Sequence, residues 1–290
     1  MNAVQRFVSA VFDALLTPFE LLGDGGDGTA IVLVSGIFGI LALLLFKQIS
    51  WQAGIKATKD RIKGHMIAIR IYQDDLGIVF GSVIKIVLRN FQYLALNFGP
   101  ILPIFAPFVL VASQLVVRYA FDPLPVVDVA KAEAMLPGRG LNLEVKMKHG
   151  HESEAMDLTV HMPAHLKALS PLVRNAHDGI AVLEFVAVSP GTDDVQFRIG
   201  DRVVGTKAVV AGDVAPRSMQ PERVSGFWSS WLWPAEPTFA PDSPIESVRF
   251  SYPDRDLGFL PGGAFGILLT FFLASIVFGI AVLKPLNIQI

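Results

Sequence analysis

Residues 29–46, 91–117 and 259–283 contain no aspartate, glutamate, lysine or arginine. At about 1.5 Å per residue, each stretch as a helix crosses or nearly crosses a hydrocarbon core of roughly 30 Å. In lipid, each backbone amide needs a partner inside its own segment, so three transmembrane helices are expected. A hydrophobic content of 52% and a mean hydropathy of +0.51 fit a chain that lives in a bilayer. There is no cysteine, which excludes disulfides, thiol catalysis and thiolate metal sites.

Charge gives an orientation. Residues 47–90 hold eight bases (Lys47, Lys56, Lys59, Arg61, Lys63, Arg70, Lys85 and Arg89) against three acids, Asp60, Asp74 and Asp75. The segment before the first span has Arg6 against Asp13, Glu20, Asp24 and Asp27. The positive-inside rule puts residues 47–90 and the tail, 284–290, in the cytoplasm and the N-terminus outside. Residues 118–258 then form an extracytoplasmic domain. Between residues 122 and 257 there are thirteen bases and nineteen acids, so no basic face for nucleic acid is expected. A bacterial inner membrane is the expected location.

Residues 1–28 read as an amphipathic interfacial helix followed by a Gly/Asp linker at 23–28. Val4, Phe7, Val8, Val11, Phe12, Leu15, Leu16 and Phe19 recur at helical spacing, a stripe suited to the outer interface or to a partner. The first span starts almost thirty residues in and lacks a small-x-small cleavage pattern, so it is expected to stay uncleaved.

In residues 47–90, Trp51, Ile55, Thr58, Ile62, His65, Ile69 and Tyr72 alternate by four and three, a heptad seam. After Gln73-Asp74-Asp75, the residues Phe80, Val83, Ile84, Val87 and Phe91 make a second helical stripe. An antiparallel helical hairpin is expected, with Lys56, Lys59, Arg61, Lys63 and Arg70 as its basic face. Anionic lipid, a ribosome or a nascent chain would each suit that face.

The second span, 91–117, carries Pro100, Pro103 and Pro107, each of which removes a helical hydrogen bond. Asn90, Tyr93, Asn97 and Pro100 fall near one face. That face is expected to pack on a neighbouring helix or to line a groove open to the cytoplasm. Ser35/Gly39 and Ser275/Gly279 are small-xxx-small pairs that permit close helix contact. No ionisable residue lies inside a span, so proton relays and ion-coupled transport have nothing to run on.

Residues 118–258 read as a β-sandwich-like domain. Leu141, Leu143, Val145 and Met147 alternate with polar residues, as do Met156, Leu158, Val160 and Met162, and the two runs are expected to form a hairpin. Further strands are expected at 180–188, 195–199, 202–210 and 245–252; the stretch 166–173 is ambiguous. Asp193-Asp194 reads as a turn. His149, His151, Glu152, Glu154, His161 and His165 are expected as exposed turn residues, a metal site being the alternative; Pro163 breaks the spacing a zinc helix needs. Trp228, Trp231 and Trp233 suggest an interfacial anchor or partner contact as readily as core packing. No nucleophile elbow, phosphate-binding loop or zinc motif occurs, and no enzyme activity or cofactor is expected.

The layout resembles the YidC/Oxa membrane-protein insertase superfamily: one span, a basic hairpin, a proline-broken span and a third span returning inward. The run from Lys56 to Met66 is similar in style to that family's hairpin, and the run from Asn97 to Phe105 to its second-span entry. The resemblance covers the membrane part, and implies a groove that eases polar segments into lipid without a chemical reaction. The chain departs from the family in lacking an arginine in its first span and in carrying a folded insert. Two functions are therefore expected. One is a non-catalytic subunit or scaffold docking other subunits through the β domain and hairpin. The other is an insertase-like factor handling client membrane proteins, and a homo-oligomer fits either.

Overall fold

In a computed structural model, residues 3–20, 26–135, 138–214 and 218–285 are described. Three helical stretches are long and apolar enough to cross a membrane: Gly26–Ile49, Leu76–Tyr119 and Gly263–Leu283. A separate antiparallel β region lies between the second and third. The chain divides into two compact units, Met1–Ile31 with Leu110–Thr270 and Val32–Val109 with Phe271–Ile290. Residues 23–25 of the expected linker and 286–290 of the tail lie outside the described residues. Residues 26–28 of that linker are already helical.

The helices are α1 (Ala3–Glu20), α2 (Gly26–Ile49), α3 (Gln52–Ile71), α4 (Leu76–Phe98) and α5 (Ile101–Tyr119), then α6 (Val129–Ala134), α7 (Ser229–Leu232) and α8 (Gly263–Leu283). In the second unit, α3 and α4 form the hairpin. Asp75 turns the corner: its carboxylate accepts the Gly77 and Ile78 amides at 2.9 and 3.1 Å, capping α4. Ile55 and Thr58 are buried on the seam, with Ile62, His65 and Ile69 half-buried, while Trp51 and Tyr72 at its ends are exposed. The inward row of α4 differs from the expected stripe. Ser82 is buried and Val79, Ile86 and Arg89 are half-buried, whereas Phe80, Val83, Ile84, Val87 and Phe91 are all exposed. Helix α4 is apolar around most of its circumference, and the row holding the small Ser82 is the one that faces inward.

Helix α4 continues past the hairpin to Phe98, so the basic arm and the start of the second apolar stretch are one rod. It breaks at Gly99-Pro100. Pro100 has no amide to continue the ladder. Gly99 keeps helical angles (φ −51°, ψ −48°) directly before it, since it has no Cβ for the proline ring to strike. Pro103 is tolerated in the first turn of α5, and Pro107 interrupts that helix further on.

In the first unit, α1 lies on the second half of α5, where residues 112–117 are all buried. The Arg118 guanidinium meets Asp13 at 2.6 Å, donates to the Ser9 carbonyl at 3.2 Å and sits over the Phe12 ring. The β region holds a six-stranded sheet and a three-stranded one. The first contains β1 (Leu141–Met147), β3 (Leu166–Ala168), β4 (Val173–Asn175), β5 (Ile180–Ala187), β8 (Glu222–Val224) and β9 (Ile245–Phe250). The second runs β2 (Leu158–His161), β6 (Gly191–Ile199), β7 (Arg202–Ala211). Phe185, Phe250, Leu143 and Ile245 from the first sheet and Phe197, Val195, Val209 and Leu158 from the second are fully buried. Gly205 of β7 meets Phe239 and Ile245 so closely that an added Cβ would sit 2.6 Å from the phenyl ring.

Two strand expectations are corrected. β1 and β2 are not a hairpin: β1 pairs with β5 and β9, and β2 pairs with β6 in the other sheet. A 3₁₀ turn at Glu152–Asp157 separates them. Each strand buries one face, and either sheet satisfies that pattern. Asp193 and Asp194 are not a turn but lie within β6, opposite Val209 and Ala208, and both are exposed. The reversal comes at Gly200-Asp201, where Gly200 takes φ +58°, the left-handed value a tight hairpin demands.

Where the domain leaves and re-enters the helices, its strands are tied together. The Asp122 amide donates to the Pro253 carbonyl and the Arg255 amide to the Ala120 carbonyl, at 3.0 and 2.9 Å. The Arg255 guanidinium bridges Asp122 at 3.0 Å and Asp27, at the start of α2, at 3.2 Å.

Candidate functional site

The second unit contains a cleft of about 590 Å³ between helices. Its wall is built from Phe38, Gly39, Ala42, Leu43 and Phe46 of α2, Asn97 and Phe98 of α4, Ile101, Ile104 and Phe108 of α5, and the Phe272–Leu283 part of α8. Two local features produce it. Small residues bring α2 against α8: a Cβ on Gly39 would fall 2.1 Å from the Ser275 carbonyl oxygen, and Gly279 sits over the Gly39 carbonyl. The Gly99-Pro100 break then redirects the chain between Phe98 and Ile101, both of which stand on the wall. Phe38 and Phe108 pack on Phe271 with ring centroids 5.2 and 4.9 Å away, and on each other at 6.0 Å.

The cleft is apolar. Asn97 and Ser275 are the polar side chains on its described wall, and both are engaged with their own helices. Asn97 Nδ2 donates to the Tyr93 carbonyl at 2.7 Å, and Ser275 Oγ to the Phe272 carbonyl at 2.8 Å. No acid, amine, guanidinium or imidazole is among the lining side chains.

Of the expected groove residues, Asn97 alone reaches the cleft. Asn90 is exposed and donates to the Ile86 carbonyl at 3.0 Å, Tyr93 is half-buried, and Pro100 is buried in the break. The aromatic wall, Phe38, Phe46, Phe98 and Phe108, was not singled out from sequence. A signal for part of it exists, since Gly39 and Ala42 leave room beside Phe38 and Phe46 on the face of α2 that meets α8.

Lys56, Lys59, Arg61, Lys63 and Arg70 are all exposed. Among the described residues none of the five forms an ion pair. Trp228 is 79% exposed and forms a cluster with Phe227 and Trp231, at centroid distances between 5.3 and 6.5 Å. Trp233 is separate and packs on Phe121 at 6.3 Å. The tryptophans therefore divide into an exposed cluster and a packed residue.

The histidines also divide. His149 and His151 are exposed and bonded to Glu152 and Glu154. The backbone amides of Glu152 and Gly150, with His149 beside them, hold the Glu152 carboxyl below its ordinary value. His165, expected in an exposed turn, is 4% exposed, with Asp193 3.2 Å from its Nδ1. Among the described residues no group of three His, Asp or Glu side chains could hold a metal ion. Lys207 is buried in the β core beside Phe250, and burial lowers its pKa while the Glu236 carboxylate opposes the shift. Its ammonium donates to the Ala208 and Gln220 carbonyls at 3.1 and 2.9 Å and to Glu236, so it is a satisfied structural cation. No known protein family, curated protein or solved structure matches the chain.

Proposed function

We propose that this chain is a non-catalytic, multi-pass membrane protein that receives apolar segments of other membrane proteins in the cleft bounded by α2, α5 and α8. The cleft carries the reading. It is open, walled by aromatic and aliphatic side chains, and its polar wall groups are already bonded to their own helices. A helix entering from lipid there exchanges lipid contacts for packing against Phe38, Phe108 and small residues, the terms on which helices associate in membranes. The reading agrees with the insertase-like layout of the chain. In the matching orientation, the hairpin and C-terminus are cytoplasmic, the N-terminus and β domain extracytoplasmic. The exposed Lys56, Lys59, Arg61, Lys63 and Arg70 then face the side from which new segments arrive.

The test is photocrosslinking from residue 42 or residue 104 of the full chain in native membranes. Many membrane proteins captured at low occupancy are the expected result. A single partner captured in stoichiometric amount would overturn client handling in favour of a fixed subunit.

One observation favours that second reading. The Phe227/Trp228/Trp231 cluster presents exposed aromatic surface of the kind found at the centre of protein interfaces. In this reading the chain is a scaffold docking an extracytoplasmic partner through α7. Co-purification with and without Trp228→Ser separates the two, since loss of a fixed partner supports the scaffold.

A further inference from the structure

A second, smaller cavity of about 320 Å³ opens on the hairpin itself, between α3 and α4. It is lined by His65 from α3 and by Lys85, Leu88 and Arg89 from α4. Three of its four lining side chains are nitrogen bases, and no acid is among them. The hairpin's acids stand elsewhere: Asp60 lies five residues before His65, and Asp74 and Asp75 lie at the turn, with Asp75 occupied as the α4 cap. Arg89 is half-buried and held by Gln92, its Nη1 donating to Oε1 at 2.6 Å, which fixes the guanidinium while leaving further donors free. Among the described residues neither Lys85 nor Arg89 has a carboxylate partner. Placing cations together with no counter-charge costs free energy unless an anion joins them.

Leu88, at the mouth, is 62% exposed, and Ile84, one turn before it on α4, is exposed as well. A pocket of Arg, Lys and His flanked by exposed aliphatic side chains matches an amphiphile with an anionic head and acyl tails. Planar Arg with its fork of donors, beside a point-charge Lys, is the pairing that takes a phosphate group.

We propose that His65, Lys85 and Arg89 form a phosphate-binding site whose ligand is the headgroup of an anionic phospholipid. This site is independent of the cleft. It differs from general attraction between a basic segment and a charged leaflet in requiring three named side chains rather than total charge.

The experiment uses the purified full chain in non-ionic detergent, with native mass spectrometry counting lipids retained as short-chain phosphatidylglycerol, phosphatidylcholine or inorganic phosphate is titrated. One phosphatidylglycerol retained per chain is expected, with phosphatidylcholine much weaker. Lys85→Gln and Arg89→Gln should each raise the half-saturating concentration by about tenfold, the loss of one charge-assisted hydrogen bond. Lys56→Gln and Lys59→Gln, which remove the same charge from the exposed flank of the same hairpin, should leave it unchanged. Inorganic phosphate that binds with the same dependence on Lys85 and Arg89, without lipid preference, supports the phosphate site and assigns it a soluble ligand. Equal loss in both pairs of variants overturns the site in favour of diffuse electrostatics. Retention that ignores all four substitutions, or no retention by the wild type, overturns it as well. Lys85 is exposed, so Lys85→Gln is read without a folding defect.

Discussion

Arg118, at the end of α5, and Asp13, in the middle of α1, meet at 2.6 Å although 105 residues separate them. The Arg118 side chain is only 6% exposed and the Asp13 carboxylate is its acidic partner. This pair, with the Ser9 carbonyl, fastens the N-terminal helix. Removing one member of a buried ion pair costs more than the pair is worth, because the other charge is left uncompensated. Asp13→Ala should destabilise the protein in detergent by about 3 kcal/mol, and Asp13→Leu with Arg118→Met should recover much of the loss. Thermal unfolding of the three variants checks both statements. Equal melting temperatures for Asp13→Ala and wild type would remove the pair from the list of stabilising contacts.

The crossing of α2 and α8 gives a graded prediction. A methyl on Gly39 would fall 2.1 Å from the Ser275 carbonyl, while one on Gly279 would lie 3.6 Å from the Gly39 carbonyl, an ordinary contact. Gly39→Ala should therefore cost at least about 1–3 kcal/mol, as overpacking does, while Gly279→Ala should be close to neutral. Detergent melting curves measured side by side test the asymmetry.

Asn97 and the cleft wall should behave differently. Asn97 spends its amide on the Tyr93 carbonyl, so Asn97→Leu is expected to leave crosslinking from residue 104 intact. Ala42→Trp, which fills the cleft, should abolish it while the chain remains assembled. Failure of the first variant and success of the second would reverse the assignment and make the amide the working group.

Glu184 links the β domain to pH. Its carboxylate accepts the Gly138 amide at 2.8 and 2.7 Å and also the Gly140 amide, and these bonds hold its pKa below the ordinary 4.5. A carboxyl depressed in the folded state stabilises above its unfolded pKa, and that contribution fades as pH falls through the folded value. Glu184→Gln should lower the melting temperature at neutral pH, and the gap from wild type should close as the pH is taken below 4.5. Circular dichroism of the β signal across that range is the measurement. A gap that stays constant with pH would mean that ionisation of Glu184 contributes nothing to stability, and no gap at any pH would mean that the amide side chain replaces the carboxylate without penalty.

Much of this architecture was legible because short-range patterns carried it. Charge-free length marked the long helices, the four-and-three spacing of Ile55, Thr58, Ile62 and His65 marked the hairpin seam, and Leu143, Val145 and Met147 marked a one-sided strand. Pairing was less legible. Residues 141–147 and 158–161 each have one apolar face, and a period of two cannot say which sheet either joins. The inward row of α4 was hidden for a similar reason: with Ile78, Val79, Phe80, Val83, Ile84, Val87 and Leu88 all apolar, composition does not choose among faces, and the small Ser82 does. His165 was expected with the exposed turn histidines, yet β6 passes so close that a Cβ on Gly191 would lie 3.1 Å from its ring. The cleft was legible only in part: Gly39, Asn97, Ser275 and Gly279 of its wall were singled out from sequence, whereas the aromatic side chains Phe38, Phe46, Phe98 and Phe108 were not.

The unbroken run of α4 from Leu76 to Phe98 makes a rod of about 35 Å, at 1.5 Å per residue, with the hairpin at one end and Asn97 and Phe98 of the cleft wall at the other. The articulation comes only after Phe98, at Gly99-Pro100. A load applied to the hairpin is therefore delivered to the cleft wall without passing through a joint, as a crank delivers torque to its shaft.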